Sequence, residues 1–374
     1  MRIAVVNSGS STIKAALFDV AAGAVEEVGR IARDLDQSQP LGEFCKAVLS
    51  EVCGAAPVDV IAHRVVHGGP LTAAAEITQG VEAAIRDAIP LAPLHNPEAL
   101  ECIDVARGMF PGRPMVAVFD TGFHASMPPE ARTFALPSAI TERFGLVRYG
   151  YHGLAHESLT QQLAVATGVP INATAAVTLQ LGSGCSAAAV RDGRSIETSM
   201  GFSTLDGLVM AKRPGSLDAG AVLALIRSGM TADEAGDLLS KQSGLLGVGG
   251  DSDVRELFRR EAAGDQPATL ALALFVHRIV ATAGAYFTLL DGQGALVFGG
   301  GIGTHSVEVR ARVAAGLRAW QIAIEPVRNA EGTPGLISAA GSRSVYVFET
   351  DEERVAAVEA FTYLTDRRYV HDQT

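Results

Sequence analysis

The distribution of apolar and polar positions at the start of the chain predicts a β-hairpin. Residues 3–6 form a short apolar run, residues 7–11 are small and turn-forming, and residues 12–18 are strand-like again. The turn offers backbone N–H groups and serine hydroxyls, and Lys14 adds a positive charge beside them. Such a turn can surround an anionic oxygen cluster, although serines often satisfy only the turn itself. The hairpin alone therefore leaves phosphate binding and a purely structural role open.

Similar patterns predict strands and helices along the rest of the chain. Further strands are expected at 25–31, 58–66, 114–119, 175–181, 187–193 and 296–303, the last running into a glycine turn. Helices are expected at 41–52, 78–89, 97–107, 155–166, 231–241, 268–290, 306–320 and 350–361. Thr231 and Thr350 each stand three residues before a glutamate, which predicts a capping box at both positions. The long apolar segment carries His277 and Arg278 in its middle, so we interpret it as a buried core helix.

One supersecondary unit occurs twice. An apolar strand, a Gly/Ser turn and a second strand with an acidic end open the chain, and the same order returns around the turn at 182–186. Each copy is followed by helices, which favours a duplicated α/β fold with a ligand in the cleft. A length of 374 residues also suggests two domains.

Composition narrows the class of protein. A content of 48% hydrophobic and 19% charged residues is typical of a soluble globular protein, and the formal net charge of −11 argues against nucleic-acid binding. The four cysteines form no CxxC pair and no zinc-like spacing, so reduced thiols are expected. No signal peptide is recognised at the start, and the sequence predicts a cytoplasmic protein that contacts neither membrane nor nucleic acid.

Candidate chemistry gathers at the ends of predicted strands. Arg64 lies near a strand end, and Arg213 lies in a loop; two such arginines could hold a carboxylate and a transferring phosphoryl group, or be solvated. Asp120 directly follows a buried strand, where ligands bind in open α/β sheets. It could orient a nucleophile, assist a metal ion or cap the turn. His152 could hydrogen-bond the same group or be structural.

Two further features are weaker signals. The glycine-rich run 299–303 would allow a nucleotide to approach the backbone closely, but it could equally form a tight strand-to-helix turn. Glu352 is explained by its place in the first turn of the last helix. No Walker A sequence is present, which excludes the P-loop class.

Taken together and in this order, these segments resemble the acetate kinase family. The segments that carry the resemblance are 7–11 with Lys14, 63–69, 93–97, 119–124, 148–153, 197–202, 243–247, 253–255 and 301–303. The resemblance implies the duplicated ribonuclease-H-like fold of actin, hexokinase and the Hsp70 ATPase domain, with two domains around a central cleft. The N-terminal domain would span 1–150 and be completed by 350–374, and the nucleotide-binding domain would span 151–349. It further implies reversible phosphoryl transfer between ATP and acetate with Mg²⁺, or alternatively Mn²⁺, in a homodimer.

The resemblance also assigns individual residues. In catalysis, Arg64 would bind the acyl carboxylate, Asp120 would be the catalytic acid, and His152 and Arg213 would stabilise the transition state. Asn7 and Glu352 would hold the metal ion. The nucleotide would contact Lys14, Ser10, Thr12, Gly182, Ser183, Gly184, Asp253, Val254, Arg255, Gly301, Ile302 and Gly303. The acyl pocket would be formed by Arg64, Val66, Leu94, Tyr151 and Thr204.

Because a carboxylate is already nucleophilic, elementary chemistry favours an orienting or metal-linked Asp120 over a proton acceptor.

The chain departs from the family pattern at several positions. Near the nucleotide, these are Gln180, Ser183, Thr304 and His305; in the acyl pocket, they are Tyr151 and Thr204. The two extra hydroxyls could favour a more polar acid or could bond locally. Propionate or another short-chain acid, a pyrophosphate-linked donor, a sugar kinase of the same superfamily and a non-enzymatic nucleotide-dependent switch or degenerate kinase are the alternatives.

Overall fold

The computed structural model describes residues 1–9, 12–35 and 39–371. They divide into two compact units, the first formed by residues 1–125 together with the C-terminal residues from 351, and the second by residues 126–350. Each unit is built around its own sheet, and the described strands form two sheets of six strands.

Unit 1 begins with the predicted hairpin and ends with a C-terminal helix, Glu352–His371. Its other strands and helices are β1 (Arg2–Gly9), β2 (Thr12–Ala21), β3 (Ala24–Asp34), α1 (Leu41–Cys53), β4 (Val60–Val65), β5 (Ala75–Glu76), α2 (Gln79–Asp87), α3 (Asn96–Met109) and β6 (Met115–Phe119). The core of this unit includes Val6, Leu17, Leu49 and Ile103, which are at most 1% exposed. Alternation along β2 and helical spacing along α1 and α3 place these side chains on facing surfaces.

Unit 2 repeats the strand pattern with more helices. Its elements are α4 (Pro129–Arg132), α5 (Ser138–Phe144), α6 (Gly153–Thr167), β7 (Ala176–Leu181), β8 (Cys185–Arg191), β9 (Arg194–Thr198), α7 (Ala219–Arg227), α8 (Ala232–Lys241), α9 (Gly244–Gly249), α10 (Val254–Ala262), α11 (Gln266–Leu289), β10 (Ala295–Gly299), α12 (Gly300–His305), α13 (Val307–Gly316), α14 (Pro326–Ala330), β11 (Gly335–Leu336) and β12 (Val345–Val347). The predicted capping box of α8 is present, since Thr231 and Glu234 bond each other's backbone N–H groups.

The two sheets have the same topology. The strand order is β3-β2-β1-β4-β6-β5 in unit 1 and β9-β8-β7-β10-β12-β11 in unit 2. In both, the first three strands are antiparallel, the next two join in parallel, and the edge strand is antiparallel again. The second and third strands of each sheet also share a register irregularity, at Leu17/Phe18 and at Ala189/Val190. The predicted duplication of an α/β unit is therefore confirmed.

The long apolar helix α11 belongs to the core of unit 2. By length and composition it is the one described helix that could cross a membrane. Its residues Leu272, Phe275, Ile279 and Phe287 are fully buried, and it packs against α9, α10 and α13. A helix that buries one face against neighbouring helices and against strands β7 and β8 of its sheet fits the expectation of a core helix.

The predicted capping box at Thr350 is wrong. The C-terminal helix begins at Glu352, and the Asp351 carboxylate accepts the backbone N–H of Arg354 instead. Glu353 does not reach back to a cap because its carboxylate binds Asn7 and Arg30. The helix is also longer than predicted, since it continues to His371.

The glycine run after β10 makes the predicted turn, and it opens the short helix α12. Gly300 has φ +74°, and a Cβ there would lie 2.5 Å from the Leu181 carbonyl oxygen. The neighbouring Gly301 has no such restriction, since a Cβ added there would meet nothing within 4 Å. Gly300 is thus the position at which the α12 turn approaches the end of β7.

We therefore expect Gly300→Ala to lower the free energy of unfolding by about 2–4 kcal/mol, since it adds both backbone strain and a backbone clash. Gly301→Ala is the matched control and should leave stability unchanged or slightly raised, because alanine is the better helix former. Urea unfolding of both variants measures the difference. Equal midpoints for the two variants would contradict this account of the turn.

Candidate functional site

The candidate site of unit 1 starts at the hairpin. Asn7 and Lys14 are opposite residues of β1 and β2, so the antiparallel register brings the amide and the lysine to the same end of the pair. Asn7 is only 4% exposed. Ser10, which the sequence placed at the nucleotide, lies outside the described residues, and the Thr12 hydroxyl donates to Asp34.

Arg64 and Asp120 come from neighbouring parallel strands. Arg64 is on β4 and Asp120 directly follows β6, as predicted. The Arg64 Nε and Nη2 donate to the two carboxylate oxygens of Asp120 at 3.0 and 2.5 Å, and Nη1 donates to Asn7 Oδ1 at 2.9 Å. This bidentate pair has the geometry in which arginine and carboxylate interact most strongly.

Burial acts on both charges of this pair. It raises the pKa of the Asp120 carboxyl above its ordinary value, and the Arg64 charge opposes that rise. Burial alone would lower the pKa of Arg64, but the charges of Asp120 and Glu352 outweigh it and raise the pKa instead. Arg64 is therefore a permanent cation held by its neighbours.

The C-terminal helix brings two glutamates to Asn7. The Asn7 Nδ2 group donates to Glu352 Oε2 at 2.9 Å and to Glu353 Oε1 at 2.6 Å, while the other Glu353 oxygen accepts from Arg30 at 2.6 Å. Glu352 also lies 3.8 Å from Arg64. Its side chain thus does more than complement the helix dipole. Sequence reasoning missed Glu353 and Arg30, because the local pattern around Glu353 is that of a capping residue.

These side chains border a cleft of unit 1 of about 180 Å³. It is lined by Asn7, Gly9, Thr12, Lys14, Arg64, His95 and Glu352. Beside it, the loop after β4 is braced by buried Asn96, which donates to the carbonyls of His67 and Ile85 and accepts from the His67 N–H. Burial lowers the pKa of His67 to about 4, so this histidine is neutral at pH 7.

In unit 2, His152 stands at the start of α6 in a left-handed conformation, with φ 59°. Its Nδ1 atom lies 2.8 Å from the Ser186 hydroxyl. Ser186 and its second partner His156 are functional candidates that sequence reasoning missed. The signal was available, since His156 lies four residues after His152 and Ser186 ends the Gly/Ser turn.

Gly184 borders both His152 and Arg213. A Cβ added at Gly184 would lie 3.2–3.3 Å from the His152 ring and 3.9 Å from Arg213 Nη1. The Arg213 loop is held to neighbouring backbone, because Ala211 N–H donates to the Ser183 carbonyl and Leu245 N–H to the Met210 carbonyl. Burial lowers the pKa of Arg213 from its ordinary value, and no described carboxylate lies within ion-pair distance of it. Arg213, His152 and the turn 182–186 thus lie together.

The other predicted nucleotide residues of unit 2 have defined local roles. Asp253 caps α10 by accepting the Arg255 N–H, and the exposed Arg255 guanidinium folds back onto the same carboxylate. Val254 is buried, Gly301 is exposed, Ile302 is half-buried and Gly303 is buried. These contacts neither require nor prevent a nucleotide.

The predicted acyl-pocket residues differ in exposure. Val66 is buried and Leu94 is 47% exposed. Thr204 is half-buried in the loop after β9. The Tyr151 hydroxyl donates to the Phe202 carbonyl at 2.9 Å, so this extra hydroxyl bonds locally.

Comparison with known proteins decides the family. A sequence model of the Acetokinase family matches residues 33–358. This chain belongs to the acetokinase family. Acetate kinase of Micrococcus luteus is 40% identical to it, over 96% of this chain and 98% of the relative. Among solved structures, acetate kinase of Porphyromonas gingivalis superposes with a TM-score of 0.85 at 31% identity, over 97% of this chain and 99% of that one. A propionate kinase from Francisella tularensis superposes with a TM-score of 0.86 at 33% identity, covering 96% and 98% of the two chains.

Membership of the acetokinase family confirms the resemblance and the fold class stated from the sequence. It also makes the hydrogen-bonded residues of unit 1 a candidate active-site framework; these are Asn7, Arg30, Arg64, Asp120, Glu352 and Glu353. The stability of this framework depends on charges that are paired inside the protein. Glu353 is 2% exposed, so its carboxylate depends on Arg30 and Asn7 for compensation.

We expect Arg30→Ala to lower the free energy of unfolding by about 2–4 kcal/mol, because it leaves a buried carboxylate without its cation. Arg33→Ala is the matched control on the same strand; Arg33 pairs with Glu51 on the surface, where both side chains are about half exposed. Its loss should change stability by no more than about 0.5 kcal/mol. Urea unfolding gives both values, and Glu353→Gln added to Arg30→Ala should recover part of the loss. Indistinguishable effects of the two arginine variants would refute the account.

Proposed function

We propose that this chain is a carboxylate kinase that transfers the γ-phosphoryl group of ATP to acetate, reversibly, giving acetyl phosphate and ADP. The observation that carries the proposal is the state of Arg64. An arginine side chain has five N–H donors. Asp120 and Asn7 take three of those of Arg64, and Arg64 itself lines the cleft of unit 1 with two N–H donors left for a ligand. An arginine with two such donors can bind the oxygens of a carboxylate.

Direct phosphoryl transfer requires no covalent bond between the protein and the substrate. A carboxylate oxygen attacks the γ-phosphorus, a new P–O bond forms, and the bond between the γ-phosphorus and the bridging oxygen breaks to release ADP. Since acetate is already ionised at pH 7, no base is needed, and positioning and positive charge supply the catalysis. Asp120 holds Arg64 in place through both carboxylate oxygens, which supports an orienting role for Asp120 rather than proton transfer.

His152 and Arg213 bind the transferring phosphoryl group in this proposal. Arg213 suits an anion because no described carboxylate pairs with it, so its charge is available to the phosphoryl oxygens. Lys14 and the turn residues 182–184 and 301–303 contact the nucleotide. We assign acceptor binding to unit 1 and nucleotide binding to unit 2, and we propose a cytoplasmic homodimer.

A magnesium ion fits the oxygen groups of unit 1. Mg²⁺ usually takes one or two protein carboxylates and keeps several waters. Glu352 offers a carboxylate at the cleft, and the Asn7 amide oxygen has a second lone pair besides the one that accepts from Arg64 Nη1. The described residues contain no group of three His, Cys, Asp or Glu side chains that could hold a metal ion. Asn7 and Glu352 would hold the ion, which when bound supplies positive charge to the phosphate oxygens; Mn²⁺ is the alternative.

Acetate is the proposed acceptor, and propionate is the second candidate because one similar structure is a propionate kinase. The Tyr151 hydroxyl gives its proton to the Phe202 carbonyl, so it offers no donor to a more polar acid, which supports an apolar one.

Acyl phosphate trapped by hydroxylamine tests the reaction directly. We expect acetyl hydroxamate from the full chain with ATP and Mg²⁺, loss of product when EDTA removes the metal, and weaker product from longer or hydroxylated acids. GTP and pyrophosphate are the alternative donors in the same assay. No hydroxamate with any acid and donor would refute a carboxylate kinase, and nucleotide binding without turnover would identify a nucleotide-dependent switch.

The Arg213 side chain provides a second test. Arg213→Ala should lower kcat by about 100-fold or more, because it removes charge from the transferring phosphoryl group. Arg259→Ala is the control, since Arg259 is exposed on α10 and pairs with the neighbouring Glu256 on the surface. Steady-state rates with ATP and acetate measure both variants, and unfolding midpoints show that the fold is intact. A normal kcat in Arg213→Ala removes this residue from the proposed site.

A further inference from the structure

Three hydrogen bonds run from His152 into the interior of unit 2. His152 Nδ1 lies 2.8 Å from Ser186 Oγ, and the same Oγ lies 2.8 Å from His156 Nε2. His156 Nδ1 in turn lies 2.8 Å from Thr178 Oγ1. The proposed phosphoryl transfer makes no use of Ser186, His156 or Thr178, yet these residues form a continuous hydrogen-bonded chain behind His152.

The chain is closed to water. Ser186, His156 and Thr178 are each 0% exposed. A buried polar group is almost always hydrogen-bonded, and each neutral imidazole has one donor and one acceptor nitrogen. Ser186 has a single proton, so it cannot donate to both imidazoles and must accept from at least one of them. The chain therefore has a direction, which its far end must set.

That end is a backbone carbonyl. The Thr178 hydroxyl donates to the Ala188 carbonyl oxygen at 3.5 Å, and a carbonyl can only accept. Thr178 then accepts from His156 Nδ1–H, which leaves His156 Nε2 as the acceptor of the Ser186 proton. The Ser186 oxygen is left to accept from His152. With a neutral His156, this is the orientation in which all four contacts, including the long one to the Ala188 carbonyl, pair a donor with an acceptor.

We propose that the chain His152–Ser186–His156–Thr178 holds His152 as its Nδ1–H tautomer, so that any proton gained by the ring is presented at Nε2. Nε2 is the ring nitrogen that faces Gly184, where a Cβ would come within 3.3 Å of it and within 3.9 Å of Arg213 Nη1. The role of this tautomer rests on the proposed function. In phosphoryl transfer, a doubly protonated His152 donates from Nε2 to a phosphoryl oxygen while Ser186 accepts from Nδ1. Ser186 and His156 are positioning residues for this donor.

The backbone supports the same constraint. His152 has φ 59°, a conformation that costs a non-glycine residue free energy and persists where the surroundings enforce it. The Ser186 contact and the packing of Gly184 against the ring are two such restraints. Removing Ser186 releases the ring from the first restraint and leaves the second.

Nitrogen-15 NMR of the full chain reads the tautomer without reference to activity. At alkaline pH, where imidazoles are neutral, we expect the proton of His152 on Nδ1; His152→Asn identifies its signals. Ser186→Ala should move the proton partly or wholly to Nε2. Thr160→Val is the control, because Thr160 is a buried hydroxyl on the same helix that donates to the His156 carbonyl rather than to either ring. An Nε2–H tautomer in the unaltered chain, or no change in Ser186→Ala, overturns the inference.

Kinetics with two replacements of His156 gives an independent readout. His156→Phe keeps an aromatic ring but removes both ring nitrogens, and we expect kcat to fall about 10- to 100-fold with little change in KM for acetate. His156→Gln retains an acceptor oxygen for Ser186 and should recover most of that loss. Equal rates in both variants would contradict a positioning role of His156. If His156→Phe does not fold, Ser186→Ala replaces it in the same comparison. If the unaltered protein makes no acyl phosphate, the proposed function is refuted. The tautomer measurement would still decide whether the hydrogen-bonded chain orients His152.

Discussion

The side-chain amide of Asn7 joins the buried charges of unit 1. It accepts one N–H from Arg64 and donates to both Glu352 and Glu353, so one neutral group links a cation to two carboxylates. A buried charge without a partner costs several kcal/mol, which makes these contacts conditions for the fold as well as for the site. The N-terminal strand and the C-terminal helix must therefore meet, although 345 residues separate Asn7 from Glu352.

Local signals explain how much of the fold could be predicted. The hairpin, the buried strand before Asp120, the capping box at Thr231 and the long helix α11 each carry their pattern within a few turns or strand residues. The short helices α4, α9, α12 and α14 span only four to six residues, so they show too little of the 3.6-residue period to be recognised. The error at Thr350 has a different cause. A glutamate three residues after a threonine has the same local sequence pattern whether it caps a helix or binds a distant arginine. In this protein Glu353 binds Arg30 and does not cap the helix.

In the candidate site, too, residues within sequence motifs could be predicted, whereas residues placed by distant contacts could not. Asn7, Arg64, Asp120 and Glu352 could be named from motifs, and in unit 1 they form one connected network. No motif indicated that Glu353 would share the Asn7 amide, because that contact depends on the angle at which the C-terminal helix packs. Ser186 and His156 escaped notice because hydroxyls and histidines are common in turns and helices. Only the three-dimensional contacts turn them into a directed chain.

The two units hold their functional cations in opposite ways. Unit 1 surrounds Arg64 with Asp120, Glu352 and Asn7, which compensate its charge and accept three of its five N–H groups. Unit 2 places Arg213 beside His152 without a described carboxylate partner and orients the histidine through neutral hydroxyls and a second imidazole. A compensated cation selects a weakly charged ligand by geometry, whereas uncompensated positive charge attracts a multiply charged one. An acceptor carboxylate carries one negative charge, whereas a transferring phosphoryl group carries more. The division of carboxylates between the units therefore argues for acceptor recognition by Arg64 and phosphoryl stabilisation by Arg213, independently of any motif.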